Sequence, residues 1–405
     1  MFGTALRCTE CKTEYPLNKA IAVCEKCQGL LTVEYNYNRM QEMFTKKDLQ
    51  RSATQGLWRY AKALPVSEDS VISMGEGGTP LIKSVKLEKV SRIHLKLDYI
   101  NPTGSFKDRG ATVIVSKAKE IGTKQIAIDS TGNAAASVSA YAARAGIKCY
   151  VFIPSYTEAE KVVQISASGA TVVSVRGTRQ DVHDLIEEAY RKFEWYYCGF
   201  MVSPYAIEGT KTIAYEICEQ LDWNPPDWIV FPVGTGSGIV GCHKGLQELL
   251  KMGWITRLPR LVCIQAERCA PISEAFAKGL DDIQPVLKPV TVAEGLAVGK
   301  PPKGRLVLQA IKETGGWADT VTDEETLKIA HDLAGEGQFA EISSAPSVAG
   351  TIKLIESGII DKKDKVVCEL TGTGLKSSKE FAKLVSKPIE VDTKLDALIT
   401  ALRKD

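Results

Sequence analysis

Four cysteines near the start of the chain, Cys8, Cys11, Cys24 and Cys27, are spaced C-x2-C-x12-C-x2-C. Each close pair can grip one side of a tetrahedral ion, and four thiolates suit zinc, with rubredoxin-like iron as the alternative. A closed four-thiolate shell leaves no open position for substrate, so the metal is expected to be structural. Lys12 and Gln28 follow the second cysteine of each pair, where a turn-forming glycine often sits. Charges around the cluster are mixed (Arg7, Lys12, Lys19 and Lys26 against Glu10, Glu14, Glu25 and Glu34), which argues against nucleic-acid binding.

A second set of candidates lies in four later loops. In Asn101-Pro-Thr-Gly-Ser-Phe-Lys-Asp-Arg-Gly110, Pro102 and Gly104 make a turn, and Ser105 or Thr103 is placed to cap a helix starting near Phe106. Lys107 then falls in the first helical turn, where the macrodipole is positive. That setting lowers an amine's pKa and favours the neutral nucleophile a Schiff base needs. The plainer reading is a solvated surface lysine. Ser130-Thr131-Gly132-Asn133, before an Ala-rich helix, offers hydroxyls, an amide and free helix N–H groups to a carboxylate or phenolic oxygen, or serves only as an N-cap.

The third loop, Gly234-Thr235-Gly236-Ser237-Gly238-Ile239-Val240-Gly241, follows an apolar run, and its glycines let backbone N–H groups close on a phosphate. Gly236, Gly238 and Gly241 also satisfy G-x-G-x-x-G, with Glu267 beyond the next strand, so a nicotinamide-dependent oxidoreductase is the competing reading. In the fourth, Glu369-Leu-Thr-Gly-Thr-Gly-Leu-Lys376, Thr371 or Thr373 has a hydroxyl to offer a heterocycle nitrogen.

These loops need a frame. Apolar runs predict strands over 93–97, 125–128, 149–153, 171–175, 228–233, 261–265 and 366–370. Helical spacing predicts helices near 110–121, 134–145, 159–168, 180–193, 208–221, 238–251, 324–335, 344–357 and 376–385. Strand–helix alternation makes the fold class α/β, with doubly wound parallel sheets whose ligands bind beyond the carboxyl ends of strands. The boundaries read as a ribbon over 1–37, a connection over 38–75 that packs on the body, a catalytic region over 76–385 with a smaller lobe of about 91–205, and an extension over 386–405.

Composition removes other classes. The 51 Lys and Arg nearly balance the 49 Asp and Glu, so bulk charge does not drive nucleic-acid binding. No apolar run approaches the roughly 18 to 20 residues of a membrane span, and no export signal is visible. Eleven cysteines scattered through a long chain point to reduced thiols and a cytoplasmic location.

Taken in order, the Asn-Pro-Thr-Gly-Ser-Phe-Lys107-Asp-Arg-Gly, Ser-Thr-Gly-Asn133, Gly234-Thr-Gly-Ser-Gly238 and Leu-Thr371-Gly-Thr-Gly-Leu-Lys loops resemble the threonine synthase family, as do Ile207-Glu-Gly-Thr-Lys-Thr212 and Glu341-Ile-Ser-Ser-Ala345. The resemblance covers roughly residues 75 to 385, and an N-terminal zinc ribbon occurs in archaeal members of that family. It implies a pyridoxal 5'-phosphate enzyme with two domains of the tryptophan-synthase-β fold type, acting as a homodimer on a small amino-acid phosphate. Lys107 would hold the cofactor as a Schiff base and shuttle protons, and Asn133 would bond the ring hydroxyl. Gly234, Thr235, Gly236, Ser237 and Gly238 would hold the phosphate, Thr371 would face the pyridine nitrogen, and Ser130 and Thr131 would take the substrate carboxylate.

The implied reaction converts O-phospho-L-homoserine and water to L-threonine and phosphate. Three positions depart from the family pattern: Ser203 stands where Asn is frequent, Thr373 where His is, and Ile342 where Pro is. Related enzymes acting on phosphoserine, serine or threonine (cysteate synthase and dehydratases) are therefore the alternative. Lys96, Lys161 and Ser203 are candidates for recognising the substrate's phosphate.

Overall fold

The apolar runs between the loops fold into two largely parallel sheets, and a third, antiparallel sheet forms around the cysteines. The computed structural model describes residues 2–87 and 91–403, with Lys161 described by its backbone alone. In the cysteine module, β1 (Gly3–Cys8) pairs antiparallel with β2 (Glu14–Tyr15) and β3 (Leu31–Tyr35). Ten strands follow: β4 (Leu81–Lys83), β5 (Arg92–Lys96), β6 (Gln125–Asp129), β7 (Lys148–Pro154), β8 (Thr171–Val175), β9 (Tyr196–Tyr197), β10 (Trp228–Pro232), β11 (Arg260–Ala266), β12 (Trp317–Val321) and β13 (Lys365–Glu369).

The larger sheet has the order β12-β11-β10-β13-β5-β4 and the smaller β8-β7-β6-β9. All pairs are parallel except β4 with β5 at one edge. β5, placed by the sequence reading at the start of the smaller lobe, pairs with β13 in the larger sheet, so the strands of the small sheet begin at Gln125. The runs that escaped prediction have physical reasons. β12 is an edge strand whose sequence, Trp-Ala-Asp-Thr-Val, mixes polar and apolar residues. The predicted helix over 208–221 is two buried helices, Pro204–Thr210 and Thr212–Gln220, that meet at Lys211. The predicted helix over 376–385 is a 3-10 turn, Gly374–Ser377, and a single helical turn, Ser378–Phe381.

The helix Lys107–Glu120 is buried on almost every side, with Val113, Ile114, Val115 and Ala118 fully enclosed. An all-round apolar helix needs neighbours on all sides. The helices Asn133–Ala145 and Pro204–Thr210 pack against it. Its first turn is pinned by Arg109, whose guanidinium meets Asp98 at 2.7 Å and Glu216 at 2.6 Å, all three buried. Breaking such a buried cluster by removing one partner costs about 3–5 kcal/mol, because it leaves a charge uncompensated. Lys107 sits two residues from that anchor.

The cysteine module is not a separate bead. Leu6, Cys8, Cys24, Val33 and Tyr35 share one apolar core with the main body, and Trp58, Tyr60 and Leu64 from the following segment join it. Tyr35 donates to Glu208 Oε2 at 2.5 Å, and Tyr205 donates to the Leu17 carbonyl at 2.7 Å. At the far end, the helix Leu395–Leu402 buries none of its residues. Among the described residues, no helix is long and apolar enough to cross a membrane.

Candidate active site and metal centre

A cavity of about 1650 Å³ lies between the carboxyl ends of the two parallel sheets, where ligands bind in open α/β folds. Lys107, Ser130, Thr131, Asn133, Gly234 to Gly238 and Thr371 all line it. Four loops far apart in sequence thus converge on one space.

Lys107 is the first residue of its helix, as the loop chemistry predicts, but the capping differs from expectation. Neither Thr103 nor Ser105 caps this helix. Thr103 donates its hydroxyl and backbone N–H to the Asp108 carboxylate, at 2.6 Å and 2.7 Å, and the buried Ser105 hydroxyl has no partner. The Lys107 amine lies over the Phe106 ring at 4.3 Å and near the Phe200 ring at 5.1 Å. Desolvation among these groups lowers its pKa to about 8, and Glu341 pulls it back upward. Desolvation, more than the helix dipole, is therefore what brings the amine near neutrality.

In the Ser130–Asn133 loop no side chain serves as an N-cap. The helix that follows is capped by Gly132, with no side-chain cap bond, so the Ser130 and Thr131 hydroxyls are not engaged as N-caps. The glycine loop is built in a similar way. Gly236 is the N-cap of the helix Ser237–Lys251, again with no side-chain bond to the helix start, which leaves backbone N–H donors facing the cavity. Its φ of 87° lies in the left-handed region, and a Cβ there would meet Val307 Cγ2 at 2.7 Å. This cradle fits a phosphate, and the neutral-leaning amine fits an aldehyde, so the residues present suit pyridoxal phosphate.

The same glycines do not serve a dinucleotide well. A Cβ at Gly241 would meet the Thr210 side chain at 2.8 Å, so this glycine allows helix packing rather than ligand approach. Glu267 is exposed and is not among the cavity-lining residues.

Thr371 is tied to Ser344, hydroxyl to hydroxyl at 3.2 Å, while its backbone N–H donates to Ser344 Oγ at 2.9 Å. Thr373, in place of the family's frequent His, joins two loops: its N–H donates to the Gly104 carbonyl at 2.9 Å. Ile342, in place of Pro, is buried in the core beside the larger sheet.

The candidates for phosphate recognition separate. Lys96 is buried behind the sheet, bonded to Glu216, Gln220 and the Thr79 carbonyl, and does not line the cavity. Ser203 is buried at a helix start with an unpartnered hydroxyl, outside the lining. The Lys161 side chain lies outside the described residues. The cations that do line the cavity include Arg179 and His183 on one helix, Lys300, and Lys376. Asp129 accepts from the Tyr197 hydroxyl through one oxygen, and its other oxygen lies 2.9 Å from His183 Nδ1, a contact that raises the His183 pKa. Lys303 is buried beside the glycine loop and donates to the carbonyls of Phe200 and Met201. Composition and motif spacing gave no signal for Arg179, His183 or Lys303, because isolated cations on helices are ordinary surface residues until a fold turns them inward.

At the other site, the sulfurs of Cys8, Cys11, Cys24 and Cys27 lie within 4.8 Å of one another, a donor set that fits one tetrahedral metal ion. Lys12 and Gln28 take φ of 62° and 59°, so both turns form in the left-handed conformation without glycine. Hydrogen bonds from Thr13 draw the Cys11 thiol down to about 6, toward the thiolate that a metal needs.

The loops and the glycine cradle define a class. The family described as pyridoxal-phosphate dependent enzyme matches residues 72–372, and the chain belongs to it. Within that class its relatives are threonine synthases. It is 39% identical to the threonine synthase of Methanocaldococcus jannaschii over 98% of this chain and 99% of that one. Against the threonine synthase of Methanosarcina acetivorans the identity is 40%, over 98% of each. Among solved structures, the processed form of threonine deaminase isoform 2 from Solanum lycopersicum matches with a TM-score of 0.67 at 22% identity, over 82% of this chain and 91% of that one. Maize serine racemase matches with a TM-score of 0.66 at 20% identity, over 76% and 91%. These two establish the fold alone.

Proposed function

We infer that this chain converts O-phospho-L-homoserine and water to L-threonine and phosphate, with pyridoxal phosphate held on Lys107. The observation that carries the reading is the Lys107 amine, desolvated to a pKa of about 8, in one cavity with the Gly234–Gly238 cradle. When bound, the cofactor supplies an electron sink for the charge left when a proton is removed beside the substrate's amine.

The protein's part is positioning and proton transfer. Backbone N–H groups of Gly234, Thr235, Gly236, Ser237 and Gly238 hold the cofactor's phosphate, and Asn133 holds its ring hydroxyl. Thr371 offers a hydroxyl to the ring nitrogen; a hydroxyl does not keep that nitrogen protonated, which favours elimination and replacement over transamination. Ser130, Thr131 and the helix start behind them bind the substrate carboxylate. Lys107 takes the α proton and then a β proton, and phosphate leaves from the γ carbon. One proton returns to the γ carbon to form the methyl group, water adds at the β carbon, and the second proton returns to the α carbon. Arg179 and His183 line the same cavity and supply positive charge for the phosphate ester. The four cysteines hold a structural zinc, and the enzyme works in the cytoplasm as a homodimer.

Incubation of the purified protein with phosphohomoserine, phosphoserine plus sulfite, threonine and serine tests the assignment. Threonine and phosphate released in equal amounts from phosphohomoserine alone is the expected result. Turnover of phosphoserine, serine or threonine, with none of phosphohomoserine, overturns it in favour of a cysteate synthase or a dehydratase.

A further inference from the structure

Two charged residues lining the cavity have no part in the scheme above. Glu341 begins the turn before the buried helix Ala345–Glu356, and Lys376 closes the loop that carries Thr371. Asn133 joins them. Its Nδ2 donates to Glu341 Oε2 at 2.9 Å, and its Oδ1 accepts from Lys376 Nζ at 2.7 Å. Both ends of the amide are therefore fixed, and its orientation is set by the two charges. A Cβ at position 372 would overlap the Glu341 carboxylate, so Gly372 leaves the room this arrangement needs. The Glu341 backbone is also held, its N–H donating to the Gly372 carbonyl at 2.6 Å.

We propose that Glu341 and Lys376 are positioning residues of this site: joined through Asn133, they fix the direction of its amide and set a carboxylate beside the Lys107 amine. The inference rests on the reading of Lys107 and Asn133 as cofactor-holding residues. Charges face Lys107 from several elements. Glu341 attracts it, and burial, with the Lys107 charge added, depresses Lys303 at the start of the helix Gly304–Thr314. Asp108 and Glu341 both pull on Lys376, and Glu294 pushes the Glu341 carboxyl upward. Burial raises Glu341 and lowers Lys376, so each charge depends on the other and on the amide between them.

The scheme separates two effects. Glu341→Gln keeps the size and an oxygen acceptor for Asn133 but removes the charge. Lys376→Met keeps the charge at 341 but frees the Asn133 oxygen. The readout is the pH midpoint of Lys107 labelling by an amine-reactive reagent on the full chain stripped of cofactor, followed by peptide mass spectrometry. Cofactor affinity is then measured by titrating pyridoxal phosphate into each variant.

Glu341→Gln is expected to lower the Lys107 midpoint by about one pH unit, a tenfold loss of proton affinity, the size of effect an opposite charge at close range produces. Lys376→Met is expected to weaken cofactor affinity about tenfold without lowering the Lys107 midpoint, and Lys376→Arg to restore it. An unchanged midpoint in Glu341→Gln, or the same downward shift in both variants, overturns the proposal. Labelling needs no cofactor, so this result stands apart from the reading of function. That reading fails separately if wild-type chain binds no pyridoxal phosphate.

Discussion

The two sites of this protein are built on opposite plans. The cysteine centre draws four identical donors from one short module, and its sulfurs converge within 4.8 Å. Four thiolates would fill every position of one tetrahedral ion, which would leave none for a substrate. The cavity draws unlike groups from loops 101–110, 130–133, 234–241 and 369–376, joined across two sheets, and it leaves donors and an amine unspent. A closed centre stabilises; an open one has to keep reactive groups in place at a cost. That cost shows in the desolvated Lys107 and Lys303 amines, lowered to about 8 and about 7.

If this contrast is right, damage to the two sites has different consequences. Lys107→Ala is expected to reduce turnover by at least about a thousandfold, since it removes the proton-transferring group, while thermal stability stays at or above that of the parent. Initial-rate assays and a thermal melt check both halves. Cys24→Ser, or removal of the metal by a chelator, should do the reverse: Tm falls by several degrees while the visible absorption of bound cofactor persists in the protein that remains folded. Loss of that absorption ahead of unfolding would show that the two sites are less separate than their plans imply.

A smaller effect is expected at the cradle. Gly236→Ala forces an L-residue into left-handed backbone at about 1–2 kcal/mol and pushes on Val307, so cofactor affinity should fall roughly tenfold or more in a pyridoxal phosphate titration. Smallest is Arg179→Ala. It should raise KM for the phosphorylated substrate several-fold with little change in kcat, and an unchanged KM would remove Arg179 from phosphate recognition.

How much of this could be read from the chain follows the same contrast. The cysteine spacing announced its centre because ligand and position are one signal. The Lys107, Asn133, glycine and Thr371 loops were legible because each sits between an apolar strand run and a helix, and the structure brings all of them to one cavity. Glu341 and Lys376 lie within the motifs that carry the resemblance, but local spacing assigns them no role, since the amide that joins them comes from more than 200 residues earlier. Lys96 was misread in the other direction. A lysine at a strand end looks available for a phosphate, but this one is the counter-ion of buried Glu216. The edge strand β12 escaped because edge strands carry no continuous apolar run.

Several lysines lie in or beside the cavity, and acidity alone does not choose among them: Lys303 is lowered further than Lys107. Geometry chooses, because the Lys303 amine is spent on the carbonyls of Phe200 and Met201 while Lys107 faces the open space. Borohydride reduction of the purified protein, followed by peptide mass spectrometry, asks this directly. The prediction is a single cofactor-bearing peptide, modified at Lys107. Modification at Lys303 or Lys376, or a protein that carries no cofactor at all, would contradict the central claim.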